Sequence, residues 1–336
     1  MVVSQEPFKC TLILATNGAR KPAFLASSLA YYRRAPADIQ VILCFSGTKE
    51  VFEREYESGI AGSEIVVRLT PGVRYERKIL DALVDIRSPF VALCADDDFT
   101  LMPSVLGAVE ALQCPDMNAG SVMGRIYSYH QEQPNVLQDA SGNLRTINHP
   151  DAKQRAEDLM ASYFPTYYAV QRKEILEAAL SSYESLEGEY GLNFLEVFIG
   201  LACASYGPIL CIDTPFQFRD STLSSGQHHK QVYRQNISNA LLQAISEMLS
   251  SINREGAQFK DRDALDLLTI YRHQVTLKQK IYARLPRHIK NLLYHRKKKA
   301  QILSHGITLP NPELESEWNF ICNLIREKRT TLTKAE

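Results

Sequence analysis

The sequence predicts an α/β protein in which a largely parallel sheet is flanked by helices and followed by a helical C-terminal region. Short apolar runs alternate with amphipathic patterns over roughly the first hundred residues, which is typical of βαβ units. Turn signals rich in Gly, Ser or Pro separate these runs. Beyond His228 the apolar residues recur at three- and four-residue spacing, which indicates helices.

Four strands and three helices are predicted in the first hundred residues. The strands are apolar runs bounded by turn residues, and each helix between them has an amphipathic pattern. Pro22 suits the first turn of the first helix. The predicted strands are 11–15, 39–45, 65–69 and 89–95, and the predicted helices are 22–32, 50–56 and 76–86.

The elements after residue 100 are predicted by the same patterns. Residues 130–150 are polar and predict a loop or a hairpin. The predicted helices are 103–112, 171–182, 193–205, 237–252 and 262–282, and the predicted strands are 121–129, 163–169, 209–213 and 214–218. We expect one domain over residues 8–229 and a helical region over residues 230–336.

Composition and charge limit the classes of protein to which the chain could belong. The 336 residues carry 38 basic and 38 acidic side chains, so the overall charge does not favour a nucleic-acid partner. The 7 cysteines lack CxxC spacing and mostly lie in apolar runs, which predicts reduced thiols and a cytoplasmic location. No signal peptide or bilayer-spanning stretch is expected.

Three consecutive acids, Asp96, Asp97 and Asp98, directly follow the fourth predicted strand. At the carboxyl end of a parallel strand they would project into the crevice where open α/β sheets bind ligands. Adjacent carboxylates repel one another, and their oxygen atoms suit Mg²⁺ or Mn²⁺ with a phosphate completing the coordination. A solvated acidic turn is the alternative interpretation.

Three further motifs accompany the acids in a characteristic order. The first strand ends in Thr16-Asn17-Gly18-Ala19-Arg20, the second ends at Ser46-Gly47, and Asn193-Phe194-Leu195-Glu196 precedes a Gly207-Pro208 turn. Over roughly residues 8–225 this arrangement resembles the GT-A glycosyltransferases, especially the bacterial family-2-like enzymes that build surface polysaccharides.

The resemblance implies a GT-A fold and metal-dependent transfer of a sugar from a nucleotide-diphosphate donor to a glycan or lipid-linked acceptor. The family's second turn usually carries an Asp that helps bind the base, and Cys44-Phe45-Ser46 has none, so the base stays open. The implied donor-binding residues are Thr16, Asn17, Arg20, Ser46, Lys78, Asp96, Asp97 and Arg219. The implied ligands of Mn²⁺ or Mg²⁺ are Asp96, Asp98 and His228.

A carboxylate is also needed as a general base for the acceptor hydroxyl. The family's acidic pair reads Asn193-Phe194 here, which leaves Glu196 as the nearest acid. A helix-surface acid without a catalytic role is the alternative, because its neighbours are core-like. Glu189, in a polar loop, is the reserve candidate.

Two sequence features after residue 213 have both functional and structural interpretations. Arg219 would clamp phosphate oxygens. His228 lies in a Ser/Gly-rich loop that would serve as a lid, and a solvated loop residue is the alternative to its role as a metal ligand. The stretch from Lys278 to Lys299 is basic and amphipathic, and no acid occurs between Asp266 and Glu313. It predicts peripheral contact with the anionic inner face of a membrane, with intramolecular packing or an anionic glycan as alternatives.

Other functions fit parts of the sequence. Residues 96–100 match the DxDxT pattern of haloacid-dehalogenase-type phosphatases, but three strand units precede the motif and the later strand ends in a lone Asp213. Residues 17–21 only weakly match the loop of a sugar nucleotidyltransferase. A non-catalytic nucleotide- or glycan-binding module is the alternative that is not an enzyme. The sequence gives no expectation for the oligomeric state.

Overall fold

The structure is a computed structural model. It describes residues 8–16, 22–131, 133–186, 189–190, 192–221, 236–284, 286, 309 and 312–335. In that part of the chain, no helix combines the length and the apolar character that crossing a membrane requires.

Nine strands of the described chain form one sheet. They are β1 (Cys10–Ala15), β2 (Ile39–Phe45), β3 (Val66–Leu69), β4 (Phe90–Cys94), β5 (Phe99–Thr100), β6 (Ser121–His130), β7 (Gln133–Asp139), β8 (Val170–Arg172) and β9 (Ile209–Asp220). Their order across the sheet is β3-β2-β1-β4-β8-β6-β9-β5, and β7 pairs with β6.

The sheet is parallel in its first half and mixed in its second. Strands β3, β2, β1 and β4 are parallel, as the strand–helix alternation predicts. Strand β8 is antiparallel to both β4 and β6, so β6 runs in the direction of β4, and β9 is parallel to β6. Strands β5 and β7 are antiparallel to β9 and β6. The α/β class is therefore confirmed, with more antiparallel pairing than the sequence predicts.

Eleven helices are found in the described residues. They are α1 (Pro22–Tyr32), α2 (Lys49–Glu55), α3 (Glu57–Ile60), α4 (Tyr75–Ala82), α5 (Met102–Gln113), α6 (Ala152–Ala161), α7 (Lys173–Glu184), α8 (Leu192–Tyr206), α9 (Asn239–Ile252), α10 (Asp261–Arg284) and α11 (Pro312–Ala335). Short 3₁₀ turns cover Leu83–Asp85 and Thr166–Tyr168.

The core has one layer on each face of the sheet, because successive strand side chains point to opposite faces. Ile13 of β1 belongs to the first layer, with residues of α4, α6, α7, α8, α9 and α10. Leu12 and Leu14 belong to the second layer, with residues of α1, α5 and α11. Helices from beyond residue 229 thus complete both layers. The division of the chain into two domains stays a prediction.

Three predicted strands differ from the structure. Residues 163–169 do not form a strand: Thr166–Tyr168 is a 3₁₀ turn in which the Ala169 N–H donates to the Thr166 carbonyl. The side chains of Phe164, Tyr167 and Tyr168 are buried. The runs 209–213 and 214–218 form the single strand β9. Register shifts in β6 around Gly124 let β9 continue through Pro215.

Gly124 is expected to tolerate no side chain. A Cβ there would lie 2.6 Å from the Thr214 carbonyl oxygen and 2.8 Å from Phe216 Cβ. We expect Gly124→Ala to lower the free energy of unfolding by about 1–3 kcal/mol, measured by urea denaturation. The control is Gly107→Ala in α5, where a Cβ meets nothing within 4 Å and helix propensity should add about 0.5–1 kcal/mol. A Gly124→Ala protein as stable as wild type would contradict the close approach of the two strands.

Candidate functional site

The predicted site residues follow strands that end at one edge of the sheet. Thr16 follows β1, Ser46 follows β2, and Asp96 lies just beyond β4. Strand β9 runs in the same direction as β4, so Arg219 near its end reaches this edge too. This is the edge at which open α/β sheets bind ligands.

Three of the predicted donor-binding residues form one hydrogen-bond network. The Ser46 N–H donates to Thr16 Oγ1 at 3.0 Å, and Ser46 Oγ donates to the Thr16 carbonyl oxygen at 2.5 Å. From α4, Lys78 Nζ donates to the same carbonyl at 2.7 Å and to Ser46 Oγ. Lys78 is buried, and its burial lowers the pKa of the ammonium, an effect that Asp96 partly offsets. The network thus places the buried ammonium group of Lys78 at the carboxyl ends of β1 and β2.

The three consecutive acids are buried. Asp96, Asp97 and Asp98 are 6%, 7% and 3% exposed, which argues against a solvated acidic turn. The Asp96 carbonyl accepts a hydrogen bond of 3.0 Å from Ser28 Oγ, which fixes the turn to α1. Buried carboxylates require compensating partners.

Strand β9 supplies three partners of Asp98. Because Phe99 pairs with Phe218, the residue before Phe99 lies beside the end of β9. The Asp220 N–H donates to Asp98 Oδ1 and Gln217 Nε2 donates to Asp98 Oδ2, both at 3.2 Å. The Nε of Arg219 lies 3.6 Å from Asp98 Oδ2. The end of β9 therefore holds the carboxylate of Asp98 in place.

Glu196 lies in α8 and is partly exposed. Burial of its carboxyl group raises the pKa of Glu196 to about 7, and the charge of Arg219 opposes this rise. The Arg219 guanidinium also lies 5.7 Å from the centre of the Tyr168 ring. The fold thus brings both Glu196 and Asp98 within electrostatic reach of Arg219.

A group of tyrosines lies near Glu196, and the sequence did not predict them as part of the site. The hydroxyl groups of Tyr75 and Tyr167 lie 2.5 Å apart, and both tyrosines interact electrostatically with Glu196. Burial raises the pKa of Tyr167 and of Tyr168 well above its usual range. The available signal was the aromatic run at 163–169, which we interpreted as a strand instead of a wall of the site.

The remaining predicted residues do not join this network in the described chain. Glu189 is exposed, and its backbone N–H donates to the Leu186 carbonyl at 3.0 Å. Asn17, Arg20 and His228 lie outside the described residues. So does most of the basic stretch up to Lys299.

The acids fit a divalent cation only together with an anionic ligand. No three His, Cys, Asp or Glu side chains of the described chain are arranged to hold a metal by themselves. The carboxylate oxygens suit Mg²⁺ or Mn²⁺, but Arg219 places a positive charge beside Asp98. A diphosphate would supply further oxygen ligands and balance the positive charges of both the metal and Arg219.

Comparison with known proteins supports the fold. No family model and no curated protein sequence matches the chain. The crystal structure of S. aureus TarS residues 1–349 matches it with a TM-score of 0.51 and 12% identity, over 98% of this chain and 92% of that one. The structure of the same fragment in complex with UDP-GlcNAc matches with a TM-score of 0.51 and 10% identity over the same shares. The chain therefore has a GT-A-like fold, as the sequence resemblance implied.

Proposed function

We propose that the protein is a glycosyltransferase that moves a sugar from a nucleotide-diphosphate donor to a glycan or lipid-linked acceptor, in the synthesis of a bacterial surface polysaccharide. The observation that carries this proposal is the convergence of the Lys78 network, the buried acids and Glu196 at one sheet edge. The fold shared with a TarS fragment crystallised with UDP-GlcNAc supports a sugar-nucleotide donor.

Positively charged side chains of the site would bind the donor. The buried Lys78 ammonium has hydrogen bonds to Thr16 and Ser46 but no carboxylate within ion-pair distance in the described chain. An anionic or carbonyl-bearing part of the nucleotide would offset the cost of burying this charge. Arg219 would donate to diphosphate oxygens and stabilise the negative charge that develops as the glycosidic bond breaks.

Asp96 and Asp98 would hold the divalent cation. Bound there, Mn²⁺ or Mg²⁺ supplies positive charge that stabilises the leaving diphosphate. The carboxylates of this chain would hold the donor in register with Arg219, which already lies beside Asp98. Asp97 lies in the same turn, is also buried, and would help bind the donor.

Glu196 would accept the proton of the acceptor hydroxyl as that oxygen attacks the sugar. A general base is most effective when its pKa lies near the working pH, and the pKa of Glu196 is raised to about 7. The buried tyrosines within electrostatic reach of Glu196 would restrict the access of water to it, which limits hydrolysis of the donor.

A nucleotide panel tests this function. UDP, GDP, CDP and ADP, and their common sugar conjugates, would be titrated by calorimetry with and without Mn²⁺, and release of nucleoside diphosphate would be measured with glycan acceptors. We expect one base to bind selectively and its sugar conjugate to be turned over. Failure of every nucleotide to bind, with hydrolysis of a phosphomonoester that Asp96→Asn abolishes, would instead support the phosphatase interpretation.

We further propose that the basic stretch from Lys278 to Lys299 brings the enzyme to the inner face of the membrane, where a lipid-linked acceptor would be found. Each basic residue near an anionic surface contributes about 1 kcal/mol, and salt weakens the contact. Sedimentation with anionic vesicles should therefore fall as salt rises, and fall further when residues 296–299 are all replaced by Gln. Absence of binding at low salt would contradict the membrane contact and favour packing or a glycan.

A further inference from the structure

Strand β9 has two differently occupied faces near its end. Gln217 and Arg219 point toward Asp98, whereas the alternate residues Phe216 and Phe218 are fully buried in the second core layer. The position of β9 thus sets where the partners of Asp98 lie. A side chain that packs on Phe218 therefore supports the acidic turn from the side of the second core layer.

Trp318 of α11 occupies that supporting position. Its ring centre lies 4.3 Å from that of Phe218 and 5.9 Å from that of Tyr129. Tyr129 pairs with Asp220, whose N–H donates to Asp98. Trp318 therefore contacts both β9, which supplies partners of Asp98, and β6, which pairs with the end of β9.

Helix α1 supports the other side of the acidic turn. The N–H groups of Thr100 and Met102 donate to the hydroxyls of Tyr32 and Tyr31 at 2.9 and 3.3 Å. These bonds fix β5, which follows Asp98 directly. Helix α11 packs along α1, so one helix contacts both elements that position the acids.

We propose that Trp318 is a positioning residue for the donor site: acting through Phe218, it holds β9 so that Gln217 and Arg219 meet Asp98. The inference rests on the proposed function, because the site that it positions is that of the donor. A shift of about 1 Å at such a site costs up to about 10²-fold in activity. Loss of the indole ring would leave a cavity behind Phe218 and loosen β9.

A second aromatic residue on α11 provides a matched control. The Arg34 guanidinium, in the turn that follows α1, lies 3.9 Å from the centre of the Phe320 ring. Both Trp318→Ala and Phe320→Ala remove an aromatic ring from the same helix, but in the described chain the ring contact with Phe218 of β9 belongs to Trp318. Trp318→Phe restores an aromatic ring at the supporting position.

The test is calorimetry with UDP-GlcNAc and Mn²⁺ on these proteins. Trp318→Ala should bind about tenfold more weakly than wild type, while Trp318→Phe and Phe320→Ala stay within about twofold. In hydrogen-exchange mass spectrometry, peptides covering β9 should exchange faster in Trp318→Ala than in Phe320→Ala. If Trp318→Ala does not fold, Trp318→Leu takes its place in both measurements.

The outcomes separate this inference from the proposed function. Equal donor affinity and equal exchange of β9 in both alanine variants would overturn the positioning role while leaving the glycosyltransferase proposal intact. Equal weakening in both variants would also overturn it, because the effect would then follow from helix packing alone. If wild type binds no sugar nucleotide, the proposed function fails, and exchange of β9 still decides whether Trp318 positions the strand.

Discussion

Glu196→Gln is expected to lower turnover by about 10²–10⁴ while leaving donor affinity nearly unchanged. The substitution keeps the size of the side chain and removes the group that accepts the proton. Glu196 lies in α8, partly exposed and within electrostatic reach of Arg219, whereas Glu189 is exposed in the preceding loop. Glu189→Gln is therefore the control and should retain wild-type turnover. Full activity in Glu196→Gln with loss of activity in Glu189→Gln would move the role of base to the loop.

The pH profile provides a second readout of the same residue. A base must be deprotonated to act, and the pKa of Glu196 is raised to about 7. Turnover of wild type should rise with pH and level off above about 7, and the residual turnover of Glu196→Gln should lack this dependence. A rise centred well below this value would mean that another group acts as the base.

The stability of the fold should also depend on the titration of Glu196. Here the protonated carboxyl group is the favourable form, whereas turnover requires the deprotonated one. Because the folded pKa of Glu196 lies above its ordinary value of 4.5, the folded protein holds the proton more tightly than the unfolded chain. The resulting stabilisation is present below pH 4.5 and is lost as the pH rises through about 7. The melting temperature of Glu196→Gln relative to wild type should therefore be higher at pH 8 than at pH 4. An unchanged difference would contradict the burial of this carboxyl group.

The parts of the site that sequence predicted are those set by local pattern. Apolar runs located β1, β2 and β4, and in a parallel sheet their carboxyl ends must share one edge. This was enough to bring Thr16, Ser46 and the acids 96–98 together. Lys78 was implied by the family resemblance; the structure shows its hydrogen bonds to Thr16 and Ser46, and its role in donor binding stays a prediction.

The parts that sequence did not predict depend on contacts between distant segments. Strand β5 has only 2 residues, too few for a pattern, yet its pairing with β9 sets Arg219 beside Asp98. The return of α11 onto α1 and β9 joins residues roughly 100 to 300 positions apart, and no local signal specifies it. The aromatic residues around Tyr167 have high β propensity, but their burial against the site outweighs it.

Asp98→Asn is expected to abolish the gain in nucleotide-diphosphate affinity that Mn²⁺ gives to wild type. A carboxylate that holds a cation contributes charge that an amide lacks, and changing even a group that only supports a metal ligand costs about 10- to 100-fold in metal affinity. The fold should survive the substitution. Gln217 Oε1 has no hydrogen-bond partner in the described chain, so its amide can rotate to accept from the new side-chain N–H.

Calorimetry of UDP, GDP and CDP with and without Mn²⁺ measures this effect, and Asp97→Asn provides a matched control in the same buried turn. We expect Asp97→Asn to keep the dependence on Mn²⁺, because Asp98 and Asp96 are the proposed ligands. Loss of the dependence in Asp96→Asn but not in Asp98→Asn would assign the cation to Asp96 and leave Asp98 as the residue that holds Arg219 and β9. Equal affinity with and without metal in wild type would refute a metal-assisted donor site, and Lys78 and Arg219 would then carry the positive charge that the diphosphate needs.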